Sequence, residues 1–126
     1  MAAPNIVNVT SILGKTTYLS LANTSATVLV TNAASSNKVL KINSIVVAND
    51  DGSSACDVTV SVNSAAAGGG TAYKLAHTIS VAADSSLVIV DKASSIYLEE
   101  DKSIVVTAGT GGDLDVVCSY EEIDDA

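Results

Sequence analysis

The sequence predicts an all-β, single-domain antiparallel β-sandwich. Runs rich in Val, Ile, Thr and Tyr recur roughly every ten residues, and clusters of Gly, Asn, Asp and Ser separate them. No stretch of useful length carries helical periodicity, and Ala65, Ala66 and Ala67 run straight into Gly68, Gly69 and Gly70. The third observation is composition: hydrophobic residues make up 48% of the 126, yet there is no Trp, no Phe and only four Tyr. The core must be aliphatic and β-branched, which favours strands. A domain of this length buries about two-thirds of the surface its unfolded chain exposes, and with no internal repeat or Pro- or Gly/Ser-rich linker, residues 1–126 read as one domain.

Strands are expected over residues 6–13, 16–21, 26–31, 38–47, 56–62, 73–81, 86–90, 96–98, 103–108 and 114–120. Gly14 separates the first two, and residues 1–14 read as an arm or an edge strand, with Pro4 compatible with either. Asn49, Asp50, Asp51, Gly52 and Ser53 read as a hairpin turn between 38–47 and 56–62. In 56–62, Cys56, Val58, Val60 and Val62 share one face while Asp57, Thr59, Ser61 and Asn63 share the other, the mark of a half-buried strand. Leu114, Val116, Cys118 and Tyr120 alternate in the same way with Asp113, Asp115, Ser119 and Glu121, and Val117 alone breaks the polar face. Two runs are apolar on both faces: Ile45, Val46, Val47 and Ala48, and Leu87, Val88, Ile89 and Val90. Each either lies deep in a sheet or meets another surface, which makes Ile45, Val46, Val47, Leu87, Val88, Ile89 and Val90 the candidate contacts with another subunit or another protein's surface.

Fourteen acidic residues against six Lys and no Arg give a net charge of −8. Such a surface repels a nucleic-acid backbone, and the shortage of aromatic rings removes the usual base-stacking platforms. Nine of the 14 carboxylates lie from Glu99 onward, so residues 121–126 are expected to form a solvated acidic tail. No apolar run approaches the roughly 20 residues that cross a bilayer as a helix, and aromatic girdles of a membrane barrel are absent. The opening residues carry no basic segment followed by an apolar stretch, so a soluble protein made in a cytoplasm is expected.

No catalytic, cofactor-binding or metal-binding set emerges. His77 stands alone and cannot build a multi-histidine centre or a triad, so it reads as a strand-face residue. Cys56 and Cys118 lack CxxC spacing and occupy the apolar phase of their strands, so they read as free buried thiols. Asp50 and Asp51 lack the spacing of a calcium loop, which leaves a turn with a weak cation site as the alternative. Neighbouring carboxylates at Glu99, Glu100 and Asp101 and at Glu121 and Glu122 point to opposite faces of a strand, which spoils acid–base pairing; they read as solvated. The stretch 65–70 lacks the spacing of a phosphate loop and reads as a flexible tip. Asn8 and Asn23 match the glycosylation pattern, which has no meaning without secretion.

The opening Met1 to Ile12 with Gly14 to Tyr18, the segment Lys41 to Val47, and the later runs Ser80 to Leu87, Asp91 and Lys92, Ser95 to Glu100 and Val117 to Glu122 resemble small virion proteins of tailed phages that infect marine bacteria, especially cyanobacteria. The similarity spans nearly the whole chain. It implies a structural protein of the virion, made in the host bacterial cytoplasm and carried in many copies, that decorates and cements the capsid. Its implied partners are the major capsid protein or other virion proteins and further copies of itself, a trimer being favoured, and a jelly roll is a form the sandwich can take. A tail, neck or fibre component is the alternative within that class, and a glycan- or ligand-binding module the alternative outside it, weakened by the scarcity of aromatic rings.

Overall fold

The computed structural model describes residues 6–124. Nine strands follow one another: β1 (Ser11–Leu21), β2 (Thr27–Asn32), β3 (Lys38–Asn49), β4 (Cys56–Asn63), β5 (Ala72–Val81), β6 (Ser86–Val90), β7 (Ile96–Leu98), β8 (Lys102–Ala108) and β9 (Leu114–Asp124). One sheet has the order β1-β9-β3-β6 with β7 also on β3, and the other has the order β2-β8-β4-β5. Apart from the short β7, the strands form four nested antiparallel pairs: β1 with β9, β2 with β8, β3 with β6 and β4 with β5. A long hairpin rolled in this way, its strands alternating between two facing sheets, is a jelly roll. The expected β-sandwich is therefore present, and its form is specified.

The core lies between the sheets and is aliphatic, as the composition required. Leu21, Leu40, Ile42, Ile45, Val47, Val90, Leu98, Leu114, Val116 and Cys118 from the first sheet meet Leu29, Val30, Cys56, Val58, Val60, Val81, Ile104, Val106 and Ala108 from the second. The predicted alternation in β4 and β9 points the expected residues inward, but β4 is more than half buried, since Ser61 and Asn63 of its polar face are buried as well.

Several local expectations change. Gly14 does not divide two strands, because the register of β1 on β9 runs unbroken from Ser11 to Leu21. Its φ is not in the left-handed region, so glycine here is a strand residue without a side chain. Of the proposed arm, 11–14 belong to this edge strand and residues 1–5 lie outside the described residues. The Asn49 to Ser53 turn does not close a hairpin, since β3 and β4 belong to opposite sheets. It is a crossover braced by buried Asn49, whose Nδ2 donates to the carbonyls of Ser54 and Val81, both at 2.9 Å.

The 65–70 stretch does not behave as a free tip. A 3-10 turn, Ala66–Gly68, folds it back against β2 and β8. There the Gly68 amide donates to Ser103 Oγ at 2.9 Å, Ser103 Oγ donates to the Ala65 carbonyl at 2.8 Å, and Ala67 N donates to Thr31 Oγ1 at 3.0 Å. Gly70 at φ +70 leaves no room for a Cβ beside Ser64, so the turn depends on glycine. Finally, Glu121, Glu122 and Asp124 belong to β9, while Asp125 and Ala126 of the expected tail lie outside the described residues.

Candidate functional site

The seven candidate contacts converge on one place, because β3 and β6 pair with Ile45 opposite Val90, Val46 opposite Val88 and Val47 opposite Leu87. Strand geometry then divides them. Ile45, Val47 and Val90 point into the core and are fully buried. Leu87 and Ile89 pack partly against it. Val46 and Val88 point away from it, half-buried and 55% exposed respectively.

The two outward residues extend into a row that the register builds across the whole sheet. Val46 stands opposite Val117 on β9, and Val117 opposite Tyr18 on β1. Tyr18, Val117, Val46 and Val88 thus form a continuous apolar stripe over four strands, about 14 Å long at the normal spacing between strands. Tyr18 is 74% and Val117 44% exposed. On one side the stripe is bordered by Ser20, Asp115, Ala48 and Ser86, and on the other by Thr16, Ser119 and Ser44. Small side chains leave the stripe standing proud, and a shallow groove of about 310 Å³ runs beside Tyr18, Ser20, Asp115 and Val117. Val117 was visible in the sequence as a break in a polar face; Tyr18 was not, because only the register places it beside Val117.

The polar end of the sheet carries the ion pairs. Glu122 accepts from Lys15 Nζ through Oε2 at 2.8 Å and from Lys38 Nζ through Oε1 at 2.9 Å, tying β1 and β3 to β9. The Lys15 ammonium first, and that of Lys38 second, hold the Glu122 carboxyl below the usual carboxylate range. Glu121, on the opposite face, accepts from Asn43 Nδ2 at 3.0 Å. The carboxylates at 99–101 lie in the turn between β7 and β8 and are not all solvated: Glu100 is buried, and its Oε2 accepts from the Asn37 amide at 3.0 Å.

The remaining candidates are dispersed. His77 is exposed on β5. Asp51 spends its Oδ1 on Ser53 N, Ser53 Oγ and Ser54 N at 2.8, 3.0 and 3.2 Å, and these bonds lower its pKa. Cys56 and Cys118 are free and buried, and burial pushes the Cys118 thiol up to about 12. Among the described residues, no three His, Cys, Asp or Glu side chains gather as a metal site, and no helix is long and apolar enough to cross a membrane.

No protein-family model matches the sequence, and comparison with curated proteins finds no match. Solved structures share its fold. A protein of Bacillus endospore appendages, described as a family of disulfide-linked pili, is similar with a TM-score of 0.54 at 18% identity, over 92% of this chain and 90% of that one. A chain of the acid-stable capsid of Helicobacter pylori bacteriophage KHP30 is similar with a TM-score of 0.52 at 11% identity, over 94% of this chain and 92% of that one. At such identities the likeness is one of fold.

Proposed function

We propose that this chain is a structural protein of a phage virion, a decoration protein that binds the outer capsid as a small symmetric oligomer and reinforces it. The observation that carries the reading is the apolar stripe Tyr18, Val117, Val46 and Val88, bordered by small and polar residues on the outer face of the first sheet of the jelly roll. Solvent-facing apolar side chains aligned over four strands are what a docking surface needs, and the small residues around them permit close approach. The resemblance to small virion proteins of marine phages supports the same reading, as does the fold shared with a phage capsid protein. The pilus likeness supports assembly by a jelly roll but not by disulfide linkage, since both thiols of this chain are buried.

Cryo-electron microscopy of purified particles tests the proposal. Regular copies at symmetric capsomer junctions, with the first sheet facing the shell, are expected. A few copies at the tail, neck or a fibre would overturn decoration and leave a tail-associated role. Capsids stripped of the protein are expected to melt at lower temperature, and unchanged melting would remove the cementing function.

A further inference from the structure

The geometry points to β1 as the edge through which two copies of this chain pair, antiparallel and across a two-fold axis at Thr16, fusing their first sheets into one. The inference goes beyond the virion reading and does not depend on it, because it concerns the free protein in solution.

Sheet edges are liabilities that folded proteins blunt. Three of the four edges here are blunted. β6 has five residues and a register shift against β3. β2 has six residues, a bulge, and the 3-10 turn lying against it. β5 is longer but carries two register shifts and a left-handed Thr78 at φ 47. β1 has none of these devices: it runs 11 residues in unbroken register, without Pro, and pairs only with β9 among the described strands. An inward-pointing lysine is a common guard on such an edge, but Lys15 is held on Glu122 at 2.8 Å.

The occupant follows from the strand's own sequence. A two-fold axis perpendicular to the sheet keeps inner and outer faces continuous, which restricts pairing to residues of like parity. An axis at Lys15 would oppose two ammonium groups, which is unfavourable. An axis at Thr16 opposes Thr16 to Thr16, Leu13 to Leu19 and Gly14 to Tyr18. Leu13, 49% exposed in one chain, is then covered by a leucine of its partner. Tyr18 is laid over a glycine whose missing Cβ faces open space, a pairing that suits an aromatic ring. β1 also contains no carboxylate, so two chains of net charge −8 meet where neither presents one. The fused sheet would have the order β6-β3-β9-β1 followed by its two-fold mate, placing two apolar stripes on one eight-stranded face. An isologous contact of this kind makes dimers or higher even-numbered assemblies, whereas the trimer favoured from sequence would need a different, cyclic contact.

The test is sedimentation over a concentration series with full-length protein and charged variants at Thr16, an exposed position in the monomer. The wild type is expected to dimerise. Thr16→Glu and Thr16→Lys, each opposing like charges, are expected to weaken self-association about fivefold or more while leaving thermal melting of the monomer unchanged. Mixing the two variants is expected to restore a dimer. Thr16→Cys is expected to cross-link to itself under mild oxidation, which only a residue near the axis can do. A monomeric wild type, a trimer, an open filament, or a dimer indifferent to both charged variants would each overturn the inference. None of these outcomes bears on where the protein sits in a particle, so the two proposals fail separately.

Discussion

Glu122 Oε2 stands 2.8 Å from Lys15 Nζ, and this contact fastens the edge strand β1 to the last strand of the chain, with Lys38 completing the clasp from β3. The folded Glu122 carboxyl takes up its proton at a lower pH than the unfolded one, whose ordinary value is 4.5. Its contribution to stability is therefore full above that value and fades as pH falls through the depressed folded pKa. Glu122→Gln is expected to lower unfolding free energy by about 1 kcal/mol at pH 7 and by clearly less at pH 3. Urea unfolding at the two pH values measures the difference; an equal loss at both would remove the ionic explanation.

The thiols give a second expectation. Because Cys56 and Cys118 are free and buried, with the Cys118 thiol pushed up to about 12, neither should react with a maleimide in the native protein at pH 7. Both should react at once in guanidinium without reductant. Mass spectrometry of the two samples decides it.

Adjacent positions on β3 should separate stability from assembly. Ile45, fully buried, is expected to cost about 2–5 kcal/mol when changed to Ala, by loss of burial and the cavity left behind. Val46→Ser, on the outer stripe, is expected to cost about 1 kcal/mol or less and to weaken binding to stripped capsids instead. Thermal melting read beside capsid co-sedimentation distinguishes the two effects, and a Val46→Ser protein that still binds fully would exclude the stripe from the interface.

One hydroxyl holds the 65–70 segment at two points. Ser103 Oγ is donor to Ala65 and acceptor from Gly68, and Ser103 is fully buried. Ser103→Ala is expected to cost about 1–3 kcal/mol, because two backbone groups lose their partner beneath the turn. Hydrogen exchange at the Gly68 amide should accelerate; unchanged protection there would mean the turn is held by other bonds.

Much of the architecture was legible because strands advertise themselves by period and composition. The inward faces of β4 and β9 followed from alternation alone, and the aliphatic core from the absence of Trp and Phe. What could not be read was set by tertiary pairing. Asp51 and Gly52 signal a turn, but turn chemistry does not say whether the chain returns along the same sheet or crosses to the facing one. Gly14 looked like punctuation because glycine permits a turn, yet nothing local reveals that β9 lines up against all 11 residues of β1. The docking stripe has the same origin: Tyr18, Val46, Val88 and Val117 are scattered over a hundred positions, and only the register of three strand pairs brings them into line.

The order β1-β9-β3-β6 places the last of the described strands inside the first sheet. Until residues 114–124 leave the ribosome, β1 has no strand to pair with and β3 lacks one of its neighbours. Closure of such distant pairs is slow, on the order of milliseconds to seconds for sandwiches of this kind, and for β1 on β9 it waits until residues 114–124 have been made. The nascent chain therefore spends its longest vulnerable interval with the unguarded edge exposed, at the very strand suited to recognise another copy. High expression should for that reason favour tangled oligomers over clean assembly, and slowing synthesis or lowering temperature should recover the folded form.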